Sequence, residues 1–144
     1  AGLLTIMLKA LNVDAICFCG WQIQIVTDSV FGKARIQKID TDLMLKELST
    51  GKVVIVTGFQ GIDELSSSIT TLGRGGSDTS AVAMALALGA KKVEFYKDVE
   101  GVYREDPKKG KTTQIYSTLN YKEALCLAKN EHPTLKKSKS KSWL

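Results

Sequence analysis

Hydrophobic positions recur along this chain in two rhythms. Leu3, Leu4, Met7, Leu8 and Leu11 fall at helical spacing before Asn12, which predicts a helix over 3–11. Short runs rich in Ile, Val and Phe at 14–18 and 23–27 predict strands, and 35–39 predicts another. Residues 42–48 read as a helix, capped by Thr41 or Asp40 and closed near Gly51. KVVIVTGF, at 52–59, is apolar on consecutive positions, as expected of a parallel strand covered by helices on both faces. GIDELSSSIT then predicts a surface hairpin or loop, and SDTSAVAMALAL, at 77–88, a small-residue helix ended by Gly89. A strand is expected at 92–96, then a turn-rich stretch, then a helix over 118–129 capped by Ser117 or Thr118. Strands alternating with helices, without internal repeats, indicate an α/β layered domain on a mainly parallel sheet.

The 144 residues suit one domain with a real core. The net charge of +5 invites a nucleic-acid reading, but Lys136, Lys137, Lys139 and Lys141 crowd the last twelve residues, and 5 − 4 leaves +1 for the rest. A nucleic-acid surface needs basic groups on a folded face, so no nucleic-acid partner is expected. The expected organisation is a domain over 1–130 and a disordered basic Ser/Lys tail over 131–144. Cys17, Cys19 and Cys126 have no metal or redox spacing and read as buried free thiols of a reducing cytoplasm. His132, the only histidine, gives His-based metal sites and triads nothing to build on, and no metal site is expected. No apolar run approaches membrane-spanning length. The opening AGLLTIMLKAL reads like a helix entered partway along, which predicts a fragment.

Candidate chemistry concentrates in TTLGRGGSDTS, 70–80, at the head of a predicted helix. A helix N-terminus presents unpaired N–H groups and partial positive charge. Gly75 and Gly76 let that backbone approach an anion closely, and the Arg74 guanidinium offers a planar fork to a carboxylate or phosphate. Ser77 is placed to cap the helix or to donate to a phosphate, and Asp78 makes sense where a cation or a donor must also be organised. The same residues fit a Gly-rich turn with Ser77 as N-cap and Asp78 in the first turn. The spacing matches neither a Walker A loop nor a Rossmann fingerprint. A second polar cluster, YKDVEGVYREDPKKG, leaves the expected 92–96 strand at its carboxyl end, where open α/β sheets bind ligands. There Asp98 can accept from a ribose or base, Tyr103 can stack and Lys108 can reach phosphates; a solvated turn around Gly101 and Asp106-Pro107 fits as well.

Together these segments resemble the amino acid kinase family, and within it the aspartokinases, from about Asn12 to Lys129. TTLGRGGSDTSAVAMALALGA resembles their phosphate-and-substrate loop nearly residue for residue. VVIVTGFQG and TDSVFGKARI resemble earlier family segments, and KDVEGVYREDPK resembles the nucleotide loop TD-x-x-G-[VI]-Y-x-x-DPR. The resemblance implies a three-layer αβα sandwich, incomplete at the N-terminus. It also implies transfer of the γ-phosphoryl group of ATP, carried with Mg2+, to the side-chain carboxylate of L-aspartate, for lysine, threonine and methionine synthesis. By it Arg74 holds a substrate carboxylate and Asp78 organises transfer, while Gly75, Gly76 and Ser77 contact substrate and phosphates and Phe59 lines the aspartate pocket. Lys97, Asp98, Tyr103, Arg104, Glu105, Asp106, Pro107 and Lys108 then surround the nucleotide, with Ser77. The resemblance allows a homo-oligomer.

The sequence also departs from that pattern. The family opens with a K-[FY]-G-G strand, which this sequence does not contain, and AGLLT has Gly2 without the glutamate of the family's Gly-Glu-x-x-Ser helix start. Lys97 replaces a usual Thr or Ser, and Lys108 a usual Arg, keeping the charge but not the fork. ALCLAKNEHPTLKK resembles A-x-x-LA-x-x-GAKVLHP-x-[ST]-L without its GAKVL portion. The family's regulatory domains have no counterpart, so feedback by lysine or threonine is not expected. A non-catalytic nucleotide-binding or structural remnant is the alternative expectation.

Overall fold

In a computed structural model the structure describes residues 1–98, 101–104 and 114–129. The chain forms two compact units, Ala1–Val93 and Glu94–Leu144. The first holds helix α1 (Gly2–Ala10), strands β1 (Ala15–Phe18), β2 (Ile25–Thr27) and β3 (Ile36–Ile39), helix α2 (Asp42–Ser49), strands β4 (Val53–Val56), β5 (Gln60–Asp63) and β6 (Ile69–Thr71), and helix α3 (Gly76–Ala87). The described part of the second holds helix α4 (Tyr121–Lys129) and one antiparallel bridge, Tyr103 with Ile115.

Chain connectivity explains the pairing. β1 pairs in parallel with β4, from Ala15 beside Val53 to Phe18 beside Val56. β2 pairs in parallel with β5 in a second sheet of order β3-β2-β5-β6. In both pairs other elements intervene, and the parallel crossover needs that length. The short connections 28–35 and 64–68 can only return antiparallel, and so join β2 to β3 and β5 to β6. The 61–70 hairpin is therefore as expected.

Phe18, Ile23, Ile25 and Met44 form the buried core, with Ile16, Ile36, Ile39, Val54, Val56, Met84 and Leu88 packed against it. Each large core side chain contributes roughly 1.5–3 kcal/mol of hydrophobic burial. No residue of α1 is buried. Asn12 ends that helix in the left-handed region at φ 59°.

At the start of α2, Thr41 holds the N-cap position without a side-chain capping bond, and Asp40, the other expected cap, accepts the Asp42 N–H on its Oδ1 at 3.0 Å. Other expectations are corrected. α4 begins at Tyr121 rather than 118, because Asn120 and Glu123 form a reciprocal capping box at 2.9 Å in each direction and displace Ser117 and Thr118 from that role. Residues 92–96 join no ladder among the described residues, so a short β-prone run without a paired strand alongside does not become one. The cysteines are free, as expected, but half-buried.

Among the described residues no helix is long and apolar enough to cross a membrane, and no group of His, Cys, Asp or Glu side chains is placed to hold a metal ion.

Candidate functional site

The β5–β6 hairpin builds the site. Its register sets Gln60 opposite Thr71, so Phe59 and Leu72 follow as the next pair, and the Phe59 carbonyl accepts the Leu72 N–H at 3.0 Å. The glycine loop starts one residue later. Phe59 and the loop, fourteen or more positions apart in sequence, thereby become neighbours at the carboxyl end of β4.

Glycines allow the close approach. A Cβ on Gly58 would stand 3.2 Å from the Ser77 Cα, and one on Gly76 would stand 2.7 Å from the Leu72 Cβ and 2.9 Å from the Phe59 ring. Gly75 is the N-cap of α3 at φ 78°, a conformation glycine adopts without a steric penalty. Ser77 is thus not the cap. It sits two residues inside the helix, exposed. Asp78 follows it in the first turn, only 7 % exposed, where the helix dipole favours a carboxylate.

Donors remain available at this helix start. Gly76 N–H bonds the Gly73 carbonyl, and the Asp78 and Thr79 N–H groups both bond the Gly75 carbonyl. Among the described residues the backbone N–H groups of Arg74, Gly75 and Ser77 have no protein acceptor. Arg74 itself is exposed and makes no ion pair or hydrogen bond there. Unpaired amides, a helix dipole and a guanidinium on one loop suit an anionic carboxylate or phosphate.

Phe59 is half-exposed and held at φ 74°. For a residue with a side chain, that region costs roughly 1–3 kcal/mol unless its surroundings enforce it. Here the Phe59 N–H donates to Ser80 Oγ at 2.9 Å, and Ser80 Oγ donates to the Gly76 carbonyl at 2.7 Å. Sequence reasoning missed Ser80; its signal was the last polar residue before the apolar run AVAMALAL. It also missed Lys33, whose Cγ lies 3.5 Å from the Cβ position of Gly73. The 28–35 segment reaches the loop there, through the Ala34 N–H on the Thr71 carbonyl at 3.0 Å.

A buried carboxylate anchors that segment. Asp63 accepts the Ser66 N–H at 2.9 Å and the Ser66 hydroxyl at 2.5 Å, and the Ser29 hydroxyl at 2.7 Å. Those hydrogen bonds, Ser66 first, hold its carboxyl below the usual carboxylate range.

The second cluster belongs to the other unit. Lys97 and Asp98 are exposed, with the Lys97 ammonium 5.8 Å from the centre of the Phe95 ring. Tyr103 forms its bridge with Ile115, and the Arg104 N–H bonds the Gln114 carbonyl at 2.9 Å while its guanidinium lies 5.0 Å over the Tyr116 ring. Glu105, Asp106, Pro107 and Lys108 lie outside the described residues. The site expectation that Lys97 and Asp98 leave the end of a sheet strand is corrected with the 92–96 strand itself. The structure brings together Phe59, Arg74, Gly75, Gly76, Ser77 and Asp78.

Fold and loop define an α/β protein whose α3 start, with its unbonded amides, lies at the end of a parallel strand. The sequence pattern of the amino acid kinase family matches residues 1–137, and the chain belongs to that family. It is 50 % identical over 126 residues to an aspartokinase of Bacillus sp. (strain MGA3), and 48 % identical over 126 residues to aspartokinase 2 of Bacillus subtilis (strain 168). Each alignment covers 88 % of this chain but only 30 % and 31 % of those relatives, so the chain spans about a third of their length. Among solved structures it superposes on E. coli aspartokinase III in complex with aspartate and ADP, with a TM-score of 0.68 at 31 % identity over 76 % of this chain and 25 % of that one. Aspartate kinase from Synechocystis gives 0.68 at 37 % identity over 90 % of this chain and 20 % of that one.

Proposed function

We propose that the protein is an aspartate kinase. In that reaction an oxygen of the L-aspartate side-chain carboxylate attacks the γ-phosphorus of ATP, the bond to the β–γ bridging oxygen breaks, and ADP leaves with 4-phospho-L-aspartate formed. Phosphoryl transfer needs positioning and charge neutralisation rather than a covalent nucleophile. The observation that carries the reading is the GRGGSD loop at the head of α3, where the amides of Arg74, Gly75 and Ser77 and the Arg74 guanidinium have no partner among the described residues.

In this reading Arg74 grips a substrate carboxylate, Phe59 walls the aspartate pocket, and Gly75, Gly76 and Ser77 meet substrate and phosphates. Asp78 organises the transfer. Lys97, Asp98, Tyr103 and Arg104 attend the nucleotide, joined by Glu105, Asp106, Pro107 and Lys108. Magnesium enters bound to ATP and neutralises the phosphates. The product feeds lysine and threonine synthesis, and the free thiols suit the reducing cytoplasm where we place the protein.

The test is purified protein with MgATP, L-aspartate and hydroxylamine, which traps the acyl phosphate as a hydroxamate. Aspartate-dependent hydroxamate and equimolar ADP are expected. ATP binding by calorimetry with no hydroxamate would overturn the catalytic reading and leave a nucleotide-binding remnant.

A further inference from the structure

The Ser80 hydroxyl occupies the point where helix α3 meets the strained residue of the pocket wall. Its residue is fully buried at 0 % exposure. A helical serine ordinarily satisfies itself by donating to the carbonyl four residues back, and Ser80 does so on Gly76 at 2.7 Å. It then accepts a second bond, from the Phe59 N–H at 2.9 Å. Phe59 sits at φ 74°, and its other backbone bond, from the Leu72 N–H, ties it to the hairpin rather than to the helix. Ser80 therefore supplies the hydrogen bond that fixes Phe59 to α3, whose start lies beside the free amides of Arg74, Gly75 and Ser77 and whose Gly76 lies against the Phe59 ring.

We propose that Ser80 is a positioning residue for the acceptor side of the site. Its hydroxyl locks the left-handed Phe59 backbone to the first turn of α3, so the Phe59 ring and the amides of 74–77 keep one spacing. Without it the Phe59 N–H loses its acceptor, and the residue relaxes towards an ordinary backbone conformation. The pocket wall moves while the chemical groups of the loop stay in place. The inference rests on the aspartate kinase reading, and it assigns Ser80 to acceptor binding rather than to nucleotide binding.

The experiment compares Ser80→Ala, Ser80→Thr and Met44→Ala with the wild-type protein, by amide hydrogen exchange and by steady-state kinetics. In Ser80→Ala the Phe59 amide is expected to exchange at least about ten-fold faster, since its acceptor is gone. KM for L-aspartate rises about 3- to 10-fold, as for one lost hydrogen bond. KM for ATP stays within about two-fold. Ser80→Thr, which keeps the hydroxyl, restores both readouts. Met44→Ala, a core truncation outside the loop, lowers Tm without splitting the two KM values. An active wild type whose Ser80→Ala variant shows no such split, or the same parallel rise as Met44→Ala, overturns the positioning role and leaves the kinase reading standing. An unchanged Phe59 amide overturns it too. A wild type with no kinase activity overturns both readings together.

Discussion

The ring of Phe59 fills the space that a Cβ on Gly76 would need, with its Cδ2 2.9 Å from that position. A helix start and the Phe59 ring are thereby packed at a distance that only glycine permits. The consequence can be measured at both residues.

Gly76→Ala adds a methyl 2.7 Å from the Leu72 Cβ as well as against Phe59. Ala gains about 0.5–1 kcal/mol over Gly as a helix former, but overpacking of this kind costs roughly 1–3 kcal/mol. Net destabilisation by urea unfolding is expected, with loss of kinase activity beyond the stability change. A more stable, fully active variant would show that the loop is looser than this packing implies.

Arg74 presents the opposite case. It is exposed and unpaired among the described residues, so Arg74→Ala should leave Tm within about two degrees, since surface changes away from special features stay within roughly 0.5 kcal/mol. Activity should fall about 10²-fold or more in kcat/KM, by comparison with other groups that hold charge in a transition state. Arg74→Lys should recover only part of it, because lysine lacks the planar fork. Parallel losses of Tm and activity would contradict the assignment.

Thr27 and Thr70 share a buried hydrogen bond of 2.6 Å across the second sheet. The Thr70 hydroxyl has that one partner among the described residues, whereas Thr27 Oγ1 also lies 3.3 Å from the Ile62 carbonyl and 3.1 Å from that of Asp28. Thr70→Val is expected to cost about 1 kcal/mol. Thr27→Val should cost more, because a part-buried carbonyl also loses its donor. A double-mutant cycle by chemical denaturation should return a coupling of about 0.5–1.5 kcal/mol, and additive costs would mean the pair contributes nothing as a pair.

Asp63 sets an acid limit on stability. Its folded-state pKa is lowered by the Ser66 and Ser29 hydrogen bonds from an ordinary value of 3.8. A depressed carboxylate stabilises the fold fully above its unfolded pKa and loses that contribution as pH falls through the folded one. Unfolding midpoints should therefore be insensitive to this group near neutral pH and decline below about pH 4. Asp63→Asn should flatten that decline while lowering stability at pH 7. An identical acid slope in wild type and variant would rule out this group as its source.

Much of the site is legible in the sequence because its chemistry is local. The run GRGGSD carries its own backbone permissions, donors and charge, and a helix following it is signalled by SAVAMALAL. What spacing could not reveal was the cap. Ser77 has the right side chain for an N-cap, yet Gly75 takes the position because the loop arrives there at φ 78°. Likewise Ser117 and Thr118 are good caps one turn too early, and the reciprocal Asn120–Glu123 pair prevails over either.

Sequence by itself determined the α/β class, the order of most elements, the apolar core runs and the glycine-rich helix start, because each depends on residues within one turn or one strand of one another. Tertiary structure alone decided which pairs of strands run parallel, that 92–96 joins no ladder among the described residues, and that Phe59, Ser80 and Gly76 meet. Those outcomes depend on contacts between segments far apart in the chain. The serine hydroxyl that holds Phe59 has no meaning in sequence until the hairpin closes and brings the helix to it.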